Sequence, residues 1–275
     1  MFVAGLLPVL GLTPFDFQRY STVADRYAYL PLLGLAILVA AAVRARPRVF
    51  VPVAGVAAIA WAGVSFTQSL HWEDETSVMA RALSVNPTSL AANRTLAAML
   101  VDAGRPAEGL VFARRAVTHH PRTPDAHANL AAAYMALRDF DSAVSAYEAG
   151  LSFAPEDVRL LSGLSSALGR SGRVNEAIAP ARRAVTLAPE FAGARVNLGT
   201  ALAQLGQVDE AIAELRVAER LQPNDPMICT NLAALLLQRG NPSEAMALLE
   251  RALRPDPNFV PARGLLEDVR SRLRP

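Results

Sequence analysis

The chain has 275 residues, of which 52% are hydrophobic and 19% charged, with a formal net charge of +2. So small a positive excess, without a basic stripe interleaved with stacking aromatics, argues against a nucleic-acid partner. One cysteine, Cys229, excludes an internal disulfide, and lysine is absent, so arginine carries all the fixed positive charge, a bias that GC-rich coding explains.

Residues 1–70 read as a membrane segment. Met1–Phe15 is apolar but short, and lacks the basic start and cleavage site of a signal peptide. It reads as the tail end of a transmembrane helix whose beginning is missing, or as a re-entrant or interfacial segment. Two uncharged stretches follow, Tyr27–Val43 and Val49–Leu70, each about the length that crosses a bilayer. Arg44, Arg46 and Arg48 lie between them. The positive-inside rule puts that turn in the cytoplasm, so the second span exits and the rest of the chain lies on the outer side. Trp72 stands where an interfacial aromatic belongs. The expected location is a bacterial inner membrane, with the C-terminal part on its periplasmic side. The loop between Phe15 and Tyr27 then faces outward and carries Asp16, Arg19, Asp25 and Arg26. Arginine there suits an anionic partner such as a lipid phosphate, or else an Asp25–Arg26 pair or simple snorkelling.

From about residue 71 the pattern changes. Residues 71–89 read as a linking half-repeat with a helix near Glu73–Val85. Pro87, Pro121, Pro155, Pro189, Pro223 and Pro257 then recur at intervals of 34 residues without insertion. Small residues recur in register with them: Ala97, Ala131, Ser165, Gly199 and Ala233 in a first helix, Gly109, Ala143, Ala177, Ala211 and Ala245 in a second. A leucine precedes each first-helix slot, at Leu96, Leu130, Leu164, Leu198 and Leu232. This period and register resemble stacked helix–turn–helix repeats of the tetratricopeptide (TPR) type. The resemblance implies an all-α protein in which five repeats over residues 90–259 form a right-handed α-solenoid. A capping helix over residues 260–275, with Leu265, Leu266, Val269 and Leu273 at helical spacing, closes its last apolar face.

Within each repeat the turn requires a left-handed residue. Gly104, Gly172, Gly206 and Gly240 supply it, while Arg138 in the second repeat is a local weakness. Pro106 and Pro242 suit first helical positions, with Asp139 and Asn241 as N-caps. Pro180 falls inside a second helix and predicts a kink or a local 3₁₀ adjustment. Cys229 reads as a small core residue. His119, His120 and His127 read as turn and surface histidines rather than metal ligands, because no converging carboxylate or thiolate accompanies them. No cofactor or metal is expected, and no nucleophile–base pair is evident.

The first helices of such an array line its concave face, which binds other chains. Asn129, Asn197 and Asn231 share one slot, broken by Thr95 and Gly163. A repeating carboxamide pairs with a peptide amide through both its C=O and NH₂, or else pairs within the repeat. The slot is similar to the asparagine ladder of TPR arrays in O-linked sugar transferases. Asp125, Arg159, Ser162, Ser166, Arg170, Thr200, Gln204, Thr230 and Gln238 complete the expected groove, whose ligand is polypeptide.

Two strings carry a second resemblance. Leu7–Phe15 (LPVLGLTPF) and Ser21–Pro31 (STVADRYAYLP) resemble the last membrane segments of bacterial transmembrane-and-TPR O-mannosyltransferases, which use lipid-linked sugar, and His71–Thr76 (HWEDET) fits the same family. The resemblance implies that Asp25, Arg26, Tyr27 and Tyr29 lie near a lipid-phosphate donor. The catalytic acids of that family sit in an early outward loop with no counterpart in this sequence, so an enzymatic role for this chain is not expected. The reading is a membrane-anchored polypeptide-binding module, or the C-terminal part of a glycosyltransferase-like enzyme whose repeats recruit acceptor polypeptide.

Overall fold

The computed structural model describes residues 75–273. Twelve helices and no strand occur among them: α1 (Glu75–Val85), α2 (Leu90–Asp102), α3 (Pro106–His119), α4 (Pro124–Ala136), α5 (Phe140–Phe153), α6 (Val158–Arg170), α7 (Val174–Leu187), α8 (Ala192–Gln204), α9 (Val208–Leu221), α10 (Pro226–Gln238), α11 (Pro242–Ala252) and α12 (Val260–Leu273). Met1–Phe15, the expected spans at Tyr27–Val43 and Val49–Leu70, and the loop bearing Asp25, Arg26, Tyr27 and Tyr29 lie outside the described residues. Among the described residues no helix is long and apolar enough to cross a membrane.

The proline period is a turn period. Each of the six prolines is the second residue of a four-residue turn closed by a backbone bond, from Ser89 N to Asn86 O at 3.1 Å through Phe259 N to Asp256 O at 3.1 Å. Proline's fixed φ matches that position, and its missing N–H is not needed there.

The turn inside each helix pair has its own geometry. Gly104, Gly172, Gly206 and Gly240 have φ between 74° and 86°. The following residue bonds back across the helix end, as Arg105 N does to Leu100 O at 2.8 Å and Gln207 N to Leu202 O at 2.9 Å. Arg138 takes the same left-handed conformation, φ 62°, and keeps the same bonds, with Asp139 N on Tyr134 O at 3.0 Å. The weakness expected at Arg138 is therefore strain rather than a lost turn. Asp139 caps α5 by accepting from Ser142 N at 3.2 Å. Asn241 does not cap α11 with its side chain, contrary to expectation; Pro242 at the first helical position has no N–H to offer in any case. At Pro180 the helix neither breaks nor turns 3₁₀: α7 runs continuously from Val174 to Leu187.

Two compact units divide the chain after His119. In the first, α2 packs on α1 and α3, with Leu83, Ala92 and Leu96 buried together against Met79 and Phe112. In the second, α4–α11 form four helix pairs, and each new first helix packs on the second helix before it. Neighbouring first helices also touch one another, and neighbouring second helices have no comparable contact. The stack in this unit therefore bends with its first helices inside. Ala131, Ala143, Ala177, Ala211, Ala233 and Ala245 are fully buried where helices cross, because only a methyl group fits at that spacing. α12 covers the end by burying Ala262, Leu266 and Val269.

A further periodic device holds the proline turns. The side chain six residues after the proline reaches back to its carbonyl: Asn93 Nδ2 to Pro87 O at 3.0 Å, His127 Nε2 to Pro121 O at 2.7 Å, Arg195 Nε to Pro189 O at 2.8 Å and Cys229 Sγ to Pro223 O at 3.5 Å. In the third repeat the slot holds Leu161, which is buried instead. His127 is thus neither a turn nor a surface residue. It is buried and stacked on Phe153, ring centroids 5.9 Å apart. Among the described residues no group of histidine, cysteine and carboxylate side chains is arranged to hold a metal ion.

Candidate functional site

Counted from the proline of the preceding turn, the fourth, eighth, eleventh and fifteenth residues of α4, α6, α8 and α10 fall on one side of the helix, because steps of four and three return to the same face. On α4 these are Asp125, Asn129, Ala132 and Ala136, and on α6 Arg159, Gly163, Ser166 and Arg170. On α8 they are Gly193, Asn197, Thr200 and Gln204, and on α10 Met227, Asn231, Ala234 and Gln238. None of the sixteen is buried. The face is polar and small-featured, with Met227 its one large apolar side chain.

Ten of the twelve expected groove residues stand on this face. Ser162 and Thr230 do not. They occupy the seventh residue after the proline, one step off the stripe, and are 6% and 7% exposed. Thr230 Oγ1 donates back to Pro226 O at 2.6 Å. Ser162 is tied to the next repeat: Asn197 Nδ2 donates to its carbonyl at 2.9 Å and its hydroxyl oxygen at 2.8 Å. The NH₂ end of Asn197 therefore joins α8 to α6, which is pairing between repeats. Asn129 and Asn231 are half-buried at the same slot, and the Asn231 side chain has no hydrogen bond to another described residue.

Charge on the face is largely balanced. Arg159 Nη2 meets Asp125 Oδ1, one repeat earlier, at 2.7 Å, with Asp157 Oδ2 at 3.5 Å. Asp125 first, and Asp157 with it, raise the Arg159 guanidinium above its ordinary pKa. The pair is exposed, and such pairs add little to stability. Arg170 lies over the Phe140 ring, 4.8 Å from its centroid, a cation–π contact that fixes its direction. Thr200, Gln204 and Gln238 are exposed, and Ser166 is half-buried.

Family models described as tetratricopeptide repeat match residues 67–190, 162–226 and 227–254. The chain belongs to the tetratricopeptide repeat family. Its TPR fold is similar to a thermophilic TPR protein of Thermus thermophilus, at 25% identity and a TM-score of 0.59, over 65% of this chain and 97% of that one. It is also similar to pilF of Pseudomonas aeruginosa, at 21% identity and a TM-score of 0.56, over 66% of this chain and 87% of that one. Both likenesses concern the fold. No curated protein matches the sequence. TPR arrays are protein-interaction scaffolds, and the first-helix face just described is where a TPR stack presents its inner surface.

Proposed function

We propose that the TPR array holds an extended polypeptide along its first-helix face, chiefly through the ligand's main chain. The observation that carries this is the recurrence of uncharged polar side chains on one face of four successive first helices, α4, α6, α8 and α10: Asn129, Ser166, Asn197, Thr200, Gln204, Asn231 and Gln238. Carboxamides and hydroxyls both donate and accept, as a peptide unit does. Small residues between them let a backbone approach. Binding that reads the main chain tolerates many sequences, which suits a client of no fixed side-chain pattern.

We further propose that this face works outside the cytoplasm, tethered by the uncharged stretches Tyr27–Val43 and Val49–Leu70 with the arginine turn between them. Protease added to intact cells, and to cells with only the outer membrane permeabilised, tests this; the repeats should be cut only in the second case. The STVADRYAYLP string favours one alternative, in which the same array recruits acceptor polypeptide to a sugar-transfer reaction on lipid-linked donor. In that reading Arg26, beside Asp25, Tyr27 and Tyr29, faces the donor phosphate. Replacing Arg26 by Ala would then weaken donor binding.

The polypeptide-binding reading is tested with the full chain and a permanently unfolded probe, reduced and carboxymethylated lactalbumin. Asn231→Ala combined with Gln204→Ala should weaken binding about tenfold, the loss of two neutral hydrogen bonds. Unchanged affinity would contradict the reading.

A further inference from the structure

The asparagine slot is interrupted in the third repeat by Gly163, and the structure gives the reason. A Cβ atom built on Gly163 would lie 2.4 Å from both Cε1 and Cζ of Tyr147 and 2.7 Å from its hydroxyl oxygen. The end of the phenol therefore occupies the volume that a side chain at residue 163 would fill. Tyr147 comes from α5, the second helix of the preceding pair. The matching residues of later second helices are Ala181, Leu215 and Leu249, all buried and apolar. Where those side chains stop within the core, Tyr147 continues past it and reaches the slot from behind.

We propose that Tyr147 supplies the missing rung, offering its hydroxyl to the main chain of the polypeptide at the slot that Asn129, Asn197 and Asn231 occupy in neighbouring repeats. This rests on the polypeptide-binding reading above. Tyr147 is half-buried and packs against the buried cluster that contains Val144, Leu164 and Leu168, which holds its ring. Its hydroxyl has no hydrogen bond to another described residue, and its oxygen is not among the enclosed polar atoms. Burial raises the phenol's pKa, so it stays protonated at neutral pH. A neutral phenol donates one hydrogen bond and accepts others, the same dual capacity as a carboxamide. The glycine and the tyrosine are then one device split between two helices: Gly163 clears the slot and Tyr147 fills it.

The test uses the full chain and the same carboxymethylated lactalbumin. Tyr147→Phe keeps the ring and removes the hydroxyl; it should weaken binding about three- to tenfold while the melting temperature stays within a degree or two. Tyr147→Leu, copying Leu215, should weaken it similarly. Adding Gly163→Asn to Tyr147→Leu rebuilds the rung from the first helix and should restore affinity. Wild-type affinity in Tyr147→Phe, while Asn231→Ala with Gln204→Ala binds weakly, would overturn this proposal and leave the polypeptide-binding reading standing. Equal affinity in all variants, or no binding by the wild type, would overturn both.

Discussion

His127 Nε2 lies 2.7 Å from the carbonyl oxygen of Pro121, six residues earlier, while its ring stacks on Phe153. A carbonyl only accepts, so Nε2 carries the proton and the imidazole is a structural donor. Removing it with His127→Ala leaves the Pro121 carbonyl without that donor and loses the ring contact. The expected destabilisation is about 2 kcal/mol, combining one neutral hydrogen bond with one aromatic pair. His127→Asn, copying Asn93 of the first repeat, should recover part of the loss. Urea unfolding midpoints of the three proteins measure both effects.

Arg138 holds a left-handed backbone, φ 62°, where the other four repeats use glycine. An L side chain in that conformation costs about 1 kcal/mol. Arg138→Gly should therefore raise the thermal midpoint, by an amount corresponding to about 1 kcal/mol less the entropy that glycine adds to the unfolded chain. Arg138→Ala, which keeps a Cβ, should leave the midpoint near its starting value.

Pro180 stands beyond the first turn of α7 and cannot donate to the carbonyl of Glu176. The helix runs through it, so the unmade bond is tolerated rather than relieved. Pro180→Ala restores the donor and should stabilise the protein by up to about 3 kcal/mol. Hydrogen exchange should show slower opening in α7 and little change in α11.

Asn197 and Asn231 occupy the same slot with different duties. Asn197 joins α8 to α6 through Ser162, whereas the Asn231 side chain has no hydrogen bond to another described residue. Asn197→Ala should lower stability by about 1 kcal/mol. Asn231→Ala should leave stability unchanged within about 0.5 kcal/mol, the usual range for surface changes, and weaken polypeptide binding. Paired melting and binding measurements on the two variants separate the roles.

The all-α helical repeat and its turn positions were legible in the sequence because each rests on a rule of local geometry repeated in register. Proline fixes φ, glycine permits the left-handed turn, and a four-three step keeps one face. What hid was work shared by unlike residues. Asn93, His127, Arg195 and Cys229 all bind a proline carbonyl, yet no single residue type marks the slot. Ser162 and Thr230 fall one step off the exposed stripe, and a polar residue on a first helix looks available until its angle is known. The Gly163–Tyr147 contact spans two repeats and sixteen residues, beyond the reach of periodicity within either helix.

Photocrosslinking asks most directly where polypeptide binds. A photoreactive side chain at Thr200, on the first-helix face, and another at Glu148, exposed on the second helix α5, are irradiated with labelled carboxymethylated lactalbumin bound to the full chain. If the first helices hold the polypeptide, Thr200 captures it, Glu148 does not, and excess unlabelled probe abolishes the product. Capture at Glu148 in preference to Thr200, or at neither, would contradict binding on this face.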